Sequence, residues 1–145
     1  MDTDNDGYGD NATGDYADNC PTIANGIDQD NQTDYDLDGD GDACDTDDDG
    51  DSILDSDDMC PQGITDWTST SLTDFDQDGC LDNTEDDDDD NDGIMDTSDL
   101  CQKSNELFNS SSLNDHDIDG CLDSNEEDPD DDNDGVLDIK DVCPK

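Results

Sequence analysis

The sequence predicts a mostly irregular linear repeat array, with very little helix or strand and no large hydrophobic core. Composition is the first observation: the 145 residues carry 49 Asp and Glu against 3 Lys and Arg, and only 26% are hydrophobic. So little apolar surface cannot offset an ordering entropy of about 1 to 2 kcal/mol per residue. The second and third observations are seven cysteines and a clear internal period.

Low hydrophobicity with high net charge is also typical of a disordered acidic tail. Two features argue against that alternative. Glu contributes only 4 of the acidic residues, and the shorter Asp suits tight loops that converge on an ion. Cysteines at this density are typical of small secreted scaffolds. We therefore expect order when a cation neutralises the carboxylates and disorder without it.

The repeat is marked by cysteines that recur every 41 to 42 residues in two phases: Cys60, Cys101 and Cys143 in one, Cys80 and Cys121 in the other. Such a period favours a linear array whose units contact mainly their neighbours. The predicted divisions are a divergent segment 1–59, repeat units 60–100 and 101–142, and the start of a further unit at 143–145. Because both ends fall inside repeats, we expect a mature fragment or one stretch of a longer exported product.

Regular secondary structure is almost absent from the pattern, because Asp, Gly and Asn interrupt every possible helical period. The best candidates for short turns of helix are residues 83–86 and 104–109. No stretch is apolar enough for a transmembrane helix, and the N-terminus does not resemble a signal segment.

The recurring element reads D-x-D-x-D-G-φ-x-D-x-x-(D/E), the spacing of a loop that binds Ca²⁺ through positions 1, 3, 5, 7, 9 and 12. Alternate residues direct carboxylates inward, Gly at position 6 permits a sharp reversal, and position 7 offers its backbone carbonyl. We number seven such loops in chain order: 2–13, 34–45, 47–58, 74–85, 88–99, 115–126 and 130–141. The predicted fold class is therefore an irregular repeat array stabilised by calcium and disulfides.

Five of these loops match the pattern in full, and loops 3 and 1 depart from it. Loop 3 has Ser52 where Gly is expected, which predicts a looser site. Loop 1 has Thr13 at position 12, so Asp15 or Asp18 must supply its closing ligand. The predicted calcium ligands, in loop order, are Asp2, Asp4, Asp6, Tyr8, Asp10 and Asp18; Asp34, Asp36, Asp38, Asp40, Asp42 and Asp45; Asp47, Asp49, Asp51, Ile53, Asp55 and Asp58; Asp74, Asp76, Asp78, Cys80, Asp82 and Glu85; Asp88, Asp90, Asp92, Ile94, Asp96 and Asp99; Asp115, Asp117, Asp119, Cys121, Asp123 and Glu126; and Asp130, Asp132, Asp134, Val136, Asp138 and Asp141.

The acidic runs at 86–90 and 128–132 lie between consecutive loops, where shared carboxylates could hold further ions. From the ligand requirement of this cation we expect seven to about fourteen calcium ions per chain. Position 7 is mostly apolar, so calcium binding and the small amount of apolar packing are predicted to be coupled.

The cysteines fit disulfides better than zinc, because no C-x-x-C spacing occurs and His116 is the only histidine. Pairing in sequence order gives Cys20 with Cys44, Cys60 with Cys80 and Cys101 with Cys121, and leaves Cys143 without a partner. Asn11, Asn31 and Asn109 begin N-glycosylation acceptor patterns, which chance also produces.

These residues resemble thrombospondin type 3 repeats, most closely in Asp18-Asn19-Cys20-Pro21, Asn25, Gln32 and the loop from Asp34 through Gly39 and Gly41 to Cys44-Asp45. The resemblance covers essentially the whole chain. It implies repeats wrapped around a string of calcium ions, disulfides between consecutive cysteines, and a place in extracellular matrix or cell-surface proteins. The last two thirds, with Gly79-Cys80-Leu81-Asp82 and Trp67, look closer to prokaryotic secreted or surface arrays. Thr13, Ser52, Gln102 and the lengthened first segment depart from the family pattern.

The leading functional hypothesis is an extracellular structural or adhesive array, rigid with calcium, that acts as a spacer or assembles end to end into a fibre or surface layer. Its expected partners are calcium ions, cell-surface or matrix components, and other copies of itself joined through Cys143. The alternative is a calcium-storing or mineral-binding secreted protein.

Other classes fit the sequence less well. Loop 3 begins two residues after loop 2 ends, which leaves no room for the helices of an EF-hand sensor or a dockerin-like module. We expect no enzyme, since no nucleophile and base constellation is present, and the negative charge excludes nucleic acid.

Overall fold

The computed structural model describes residues 1–10, 14, 16–104, 108–124 and 126–144. Within these ranges it contains neither helix nor strand, and one isolated bridge pairs Gly9 with Ala17. Bends and hydrogen-bonded turns follow one another instead. The cause is composition, because Asp and Asn side chains compete with the backbone for its hydrogen bonds. The predicted irregular architecture is confirmed.

One of the two predicted turns of helix is wrong. The chain at 82–85 forms a hydrogen-bonded turn that does not continue into a helix. A helix over 83–86 would end against the acidic run 86–90, and negative charge is unfavourable at a helix C-terminus. The other predicted helical turn, 104–109, includes residues 105–107, which lie outside the described part of the chain.

Carboxylates occupy the interior in place of a hydrophobic core. Among the described residues, the buried apolar side chains are Cys20, Cys80, Cys121 and Leu122. The buried polar residues are more numerous, and most are aspartates: Asp49, Asp51, Asp74, Asp82, Asp89, Asp90, Asp92, Asp99, Asp115, Asp128 and Asp131. Aspartate is rarely buried unless it is paired or coordinates a metal.

Two compact units make up the chain. The first contains Met1–Ser69 and Gln77–Leu81, and the second contains Thr70–Asp76 and Asp82–Lys145. The division of the sequence into repeat units stays a prediction.

Three disulfides crosslink the chain within these units. Cys20 is bonded to Cys44 and Cys60 to Cys80 in the first unit, and Cys101 is bonded to Cys121 in the second. These are the pairs that sequence order gives. Cys143 is a free, exposed cysteine.

A buried amide cluster holds the lengthened first segment together. Asn25, which is 0% exposed, donates from Nδ2 to Asn19 Oδ1 at 2.7 Å and accepts from Gln32 Nε2 at 2.5 Å. Its backbone N–H donates to Asp6 Oδ2 at 3.1 Å, and Asn19 Nδ2 donates to the Thr33 carbonyl at 3.0 Å. The cluster therefore connects loop 1 to the residue that precedes loop 2.

Candidate calcium sites

All seven loops are closed by the same two hydrogen bonds at position 9. The N–H of position 2 donates to Oδ1 of the position 9 aspartate at 2.9 to 3.0 Å. The N–H of position 9 donates to the carbonyl of the residue before position 1 at 2.8 to 3.1 Å. We call this pair of bonds the position 9 clamp. It holds the start of each loop against position 9. In loops 1, 2 and 4, Oδ2 of position 9 accepts a further bond, from Thr3, Gln62 and Lys103 respectively.

A third hydrogen bond recurs in every loop and turns the backbone at position 6. The N–H of position 7 donates to Oδ1 of position 5 at 2.7 to 3.0 Å. The six glycines at position 6 have φ values from +87° to +110°, and Ser52 of loop 3 has +84°. Loop 3 therefore adopts the conformation of the others, although a residue with a Cβ is strained there.

The carboxylates at positions 1, 3 and 5 converge. In each of the first three loops, one oxygen from each of these residues lies within 4.8 Å of the other two: Asp2, Asp4 and Asp6; Asp34, Asp36 and Asp38; and Asp47, Asp49 and Asp51. Like charges at this separation repel strongly in a partly desolvated site. A cation among the oxygens would offset this repulsion.

The two oxygens of a loop carboxylate differ in their hydrogen bonding, and this difference shows whether the site suits calcium. At position 1 of loops 3, 5, 6 and 7, Oδ2 accepts the N–H of position 6 at 3.0 to 3.1 Å. The other oxygen of several loop carboxylates is buried and accepts no hydrogen bond: Asp4 Oδ2, Asp34 Oδ1, Asp88 Oδ1, Asp92 Oδ2, Asp99 Oδ2, Asp130 Oδ1 and Asp141 Oδ2. Burying a charged oxygen without a partner costs several kcal/mol.

Calcium satisfies this arrangement, because it takes six to eight oxygen ligands in flexible geometry. The predicted residues therefore fit the ion. Positions 1, 3, 5, 9 and 12 would hold it through carboxylate oxygens, and position 7 through its carbonyl. The ion supplies the positive charge that the chain itself lacks.

Of the two candidates for the closing ligand of loop 1, the structure describes Asp18. Asp18 has a buried Oδ2 without a hydrogen-bond donor, while its Oδ1 accepts the Cys20 N–H at 2.9 Å. Burial raises the pKa of Asp18, and the charges of Asp4, Asp6 and Asp10 raise it further. Asp18 therefore lies beside loop 1. Thr13 and Asp15 lie outside the described residues.

The position 12 carboxylates of loops 3 and 5 have the same spacing from the following cysteine as Asp18. Each precedes a cysteine by two residues and accepts its N–H: Asp58 from Cys60 and Asp99 from Cys101, both at 2.6 Å. Burial raises the pKa of Asp58 to about 6 and that of Asp99 to about 7. Burial also raises the pKa of Asp92 and Asp117 to about 6. These groups hold protons more tightly than ordinary aspartates when no cation is bound.

Residues 33–63 match the family model of the thrombospondin type 3 repeat. The match supports the resemblance of this part of the chain to that family. The match includes loops 2 and 3 with Cys44 and Cys60, so the similarity extends over loop 3 despite Ser52. No curated protein matches the chain.

Thrombospondin type 3 repeats bind calcium and occur in extracellular proteins. The acidic clusters of this chain agree with calcium binding. Among the described residues, no helix has the length and apolar character needed to cross a membrane. Two of the glycosylation acceptors, Asn31 and Asn109, are exposed, and Asn11 lies outside the described residues.

Several residues beside the loops were missed as individual site residues. Asp48 and Asp89, at position 2, face carboxylates of the preceding loop, and Gln62 and Lys103 bond to them. The acidic run 86–90 was the available signal for Asp89. Gln62 and Lys103 each lie two residues after a repeat cysteine. Their contacts with these carboxylates could be recognised only from the fold.

Proposed function

We propose that this chain is an extracellular structural or adhesive array, which calcium makes rigid and which acts as a spacer or assembles end to end into a fibre or surface layer. The observations that carry the proposal are the position 9 clamp, repeated in seven loops, and the buried loop carboxylate oxygens that accept no hydrogen bond, among them Asp4 Oδ2, Asp34 Oδ1, Asp88 Oδ1 and Asp130 Oδ1. A family known for calcium-binding extracellular repeats supports it.

Calcium would make the loops rigid because it takes the place of apolar packing. Four apolar residues are buried in the described part of the chain, so the loops lack the packing that orders most domains. The ion joins carboxylates that otherwise repel, and the carbonyl ligand at position 7 belongs to a disulfide-bonded cysteine in loops 4 and 6. Secretion suits this chemistry, since disulfides persist outside the cytosol. We propose no catalytic activity, because the carboxylates that would act as acids or bases are needed as ligands.

Calcium titration followed by calorimetry and circular dichroism tests calcium-dependent order. We expect seven to about fourteen ions per chain, a large rise in unfolding temperature with calcium, and loss of the ordered spectrum in EDTA. Identical spectra and unfolding temperatures with and without calcium would defeat the proposal.

Assembly is tested separately through Cys143, whose free thiol is exposed. We propose that it bonds to another copy. In millimolar calcium, the chain should form disulfide-linked oligomers on non-reducing gels, and Cys143→Ser should stay monomeric. A wild-type chain that stays monomeric with a free thiol removes the end-to-end version. Binding to calcite without binding to cells or to itself would favour the mineral-binding alternative.

A further inference from the structure

Carboxylates of two successive loops meet in the space between the loops. In the second unit these are Asp82 at position 9 of loop 4, Asp86, and Asp89 at position 2 of loop 5. One oxygen of each lies within 4.8 Å of the other two. Asp82 is 5% exposed and Asp89 is 6% exposed. We call this group the inter-loop cluster of the second unit.

Lys103 is bound to this cluster. Its Nζ forms an ion pair with Asp82 Oδ2 and a second one with Asp89 Oδ2 at 3.2 Å. Asp89 Oδ1 is buried and accepts no hydrogen bond. Burial raises the pKa of Asp89 to about 6, although the hydrogen bond from Lys103 opposes the rise. The cluster is thus a cation site that holds a side-chain ammonium and still has an unused acceptor.

The first unit contains a matched cluster with a neutral side chain in place of the ammonium. Asp42 and Asp48 stand at the same loop positions, and Gln62 Nε2 donates to Asp42 Oδ2 at 3.3 Å and to Asp48 Oδ2 at 2.9 Å. Burial raises the pKa of Asp48, and the charges of Asp55, Asp42 and Asp45 raise it further. Asp45 precedes loop 3 by two residues, as Asp86 precedes loop 5, and its charge acts on Asp48.

The backbone brings Gln62 and Lys103 to their clusters by the same route. Gln62 lies two residues after Cys60 and Lys103 two residues after Cys101. The next residue in each case donates its N–H to a position 3 carboxylate: Gly63 to Asp49 Oδ2 at 2.8 Å, and Ser104 to Asp90 Oδ2 at 2.7 Å. The two clusters therefore share their backbone anchoring and their aspartates at positions 9 and 2, and differ in the side chain that bridges these aspartates.

We propose that the Lys103 ammonium takes the place of a calcium ion at the inter-loop cluster of the second unit, whereas the matched cluster beside Gln62 binds one. Lysine offers three donors and no acceptor, so it fills the site and repels a divalent cation. A glutamine carbonyl is a calcium ligand, and the amide can turn either its oxygen or its nitrogen toward the carboxylates. This inference rests on the proposed calcium-binding function.

Reciprocal substitutions test the inference by counting calcium ions per chain, with equilibrium dialysis and elemental analysis at saturating free calcium. Lys103→Gln should bind one ion more than wild type and Gln62→Lys one ion fewer. The double variant Lys103→Gln with Gln62→Lys should equal wild type. Lys103→Arg, which keeps the cation, is the matched control and should leave the count unchanged. Lys103→Met, which removes the charge without adding a ligand, is the second variant and should also gain an ion.

The outcomes separate this inference from the proposed function. A wild-type chain that binds no calcium overturns both. A wild-type chain that binds calcium while Lys103→Gln and Lys103→Met keep its ion count overturns only the role of Lys103. An unchanged count in Gln62→Lys overturns the assignment of an ion to the first cluster. Circular dichroism in saturating calcium confirms that each variant is folded before its ions are counted.

Discussion

Ser52 shows how much a single side chain costs in a calcium loop. Its φ of +84° is close to the values of the glycines at the same position in the other six loops. An L-residue in this region carries about 1 to 2 kcal/mol of steric strain that glycine does not. The loop nevertheless keeps the hydrogen bond between positions 6 and 1, because Ser52 N–H donates to Asp47 Oδ2 at 3.1 Å as the glycine N–H does in loops 5, 6 and 7.

Replacing Ser52 with Gly should therefore stabilise the calcium-loaded chain by about 1 kcal/mol, less the entropy that glycine adds to the unfolded state. The measurement is the unfolding temperature by calorimetry in saturating calcium. Gly93→Ser, which makes the reverse change in loop 5, is the matched control and should destabilise by a similar amount. If Ser52→Gly lowers the unfolding temperature, then the serine hydroxyl contributes something that its backbone geometry does not reveal.

Contacts between successive loops distinguish glycines that are otherwise equivalent. Gly120 and Gly93 both occupy position 6, with φ of +87° and +98°. A Cβ on Gly120 would overlap the carboxylate of Asp99, whereas a Cβ on Gly93 would meet no atom within 4 Å. Asp99 closes loop 5 and is 7% exposed. The end of loop 5 therefore packs on the turn of loop 6.

Gly120→Ala should consequently destabilise the calcium-loaded chain more than Gly93→Ala. Both variants incur about 1 kcal/mol of left-handed strain, and only Gly120→Ala also displaces a buried carboxylate, at a further cost of about 1 to 3 kcal/mol. Denaturant unfolding in saturating calcium measures both. Equal losses would mean that Asp99 moves away without cost.

Disulfides act on the same pairs of loops. The bond between Cys101 and Cys121 spans 20 residues, and closing a loop of that length is worth about 3 kcal/mol in the chain-entropy model. The double variant with Cys101→Ala and Cys121→Ala should lose about that much stability in saturating calcium, measured by denaturant unfolding. Cys143→Ala, which removes a free thiol, is the control and should change stability by less than about 0.5 kcal/mol.

The sequence pattern of a loop indicates the contacts within that loop more directly than the contacts between distant residues. The position 9 clamp joins residues seven and nine positions apart, so the loop pattern alone implies it. The bond from Lys103 to Asp82 spans 21 residues, and no periodic pattern indicates it, because the equivalent residue of the preceding repeat is Gln62. The prediction of a helical turn at 83–86 was wrong because the helix propensity of that segment does not include the effect of the negative charges that follow it.

Charge sets the behaviour of the whole molecule when calcium is removed. The net charge is −46, and burial raises the pKa of Asp99 to about 7 and of Asp58, Asp89, Asp92 and Asp117 to about 6, from an ordinary 3.8. Between about pH 4 and pH 7, the folded calcium-free chain therefore binds protons that the unfolded chain has released. Its stability must rise as pH falls through this window.

We expect calcium-free protein, prepared on a chelating resin, to be disordered at pH 8 and to regain part of its ordered circular dichroism spectrum at pH 5. In saturating calcium the order should instead weaken as pH falls, because protons compete with the ion for the same carboxylates. Circular dichroism at several pH values with and without calcium measures both trends. A calcium-free chain that is more stable at pH 8 than at pH 5 would contradict the burial of these carboxylates.

The short span of the position 9 clamp also has a kinetic consequence. Each loop closes through bonds between residues seven to nine positions apart, and chains with such local contacts fold quickly, because little loop-closure entropy precedes the first stabilising contact. Closing a segment of this length takes roughly 10 to 100 ns. The supply of calcium and the oxidation of cysteines, rather than the search for distant partners, should set the pace at which this chain matures, so that one loop can be complete while the next is still being made.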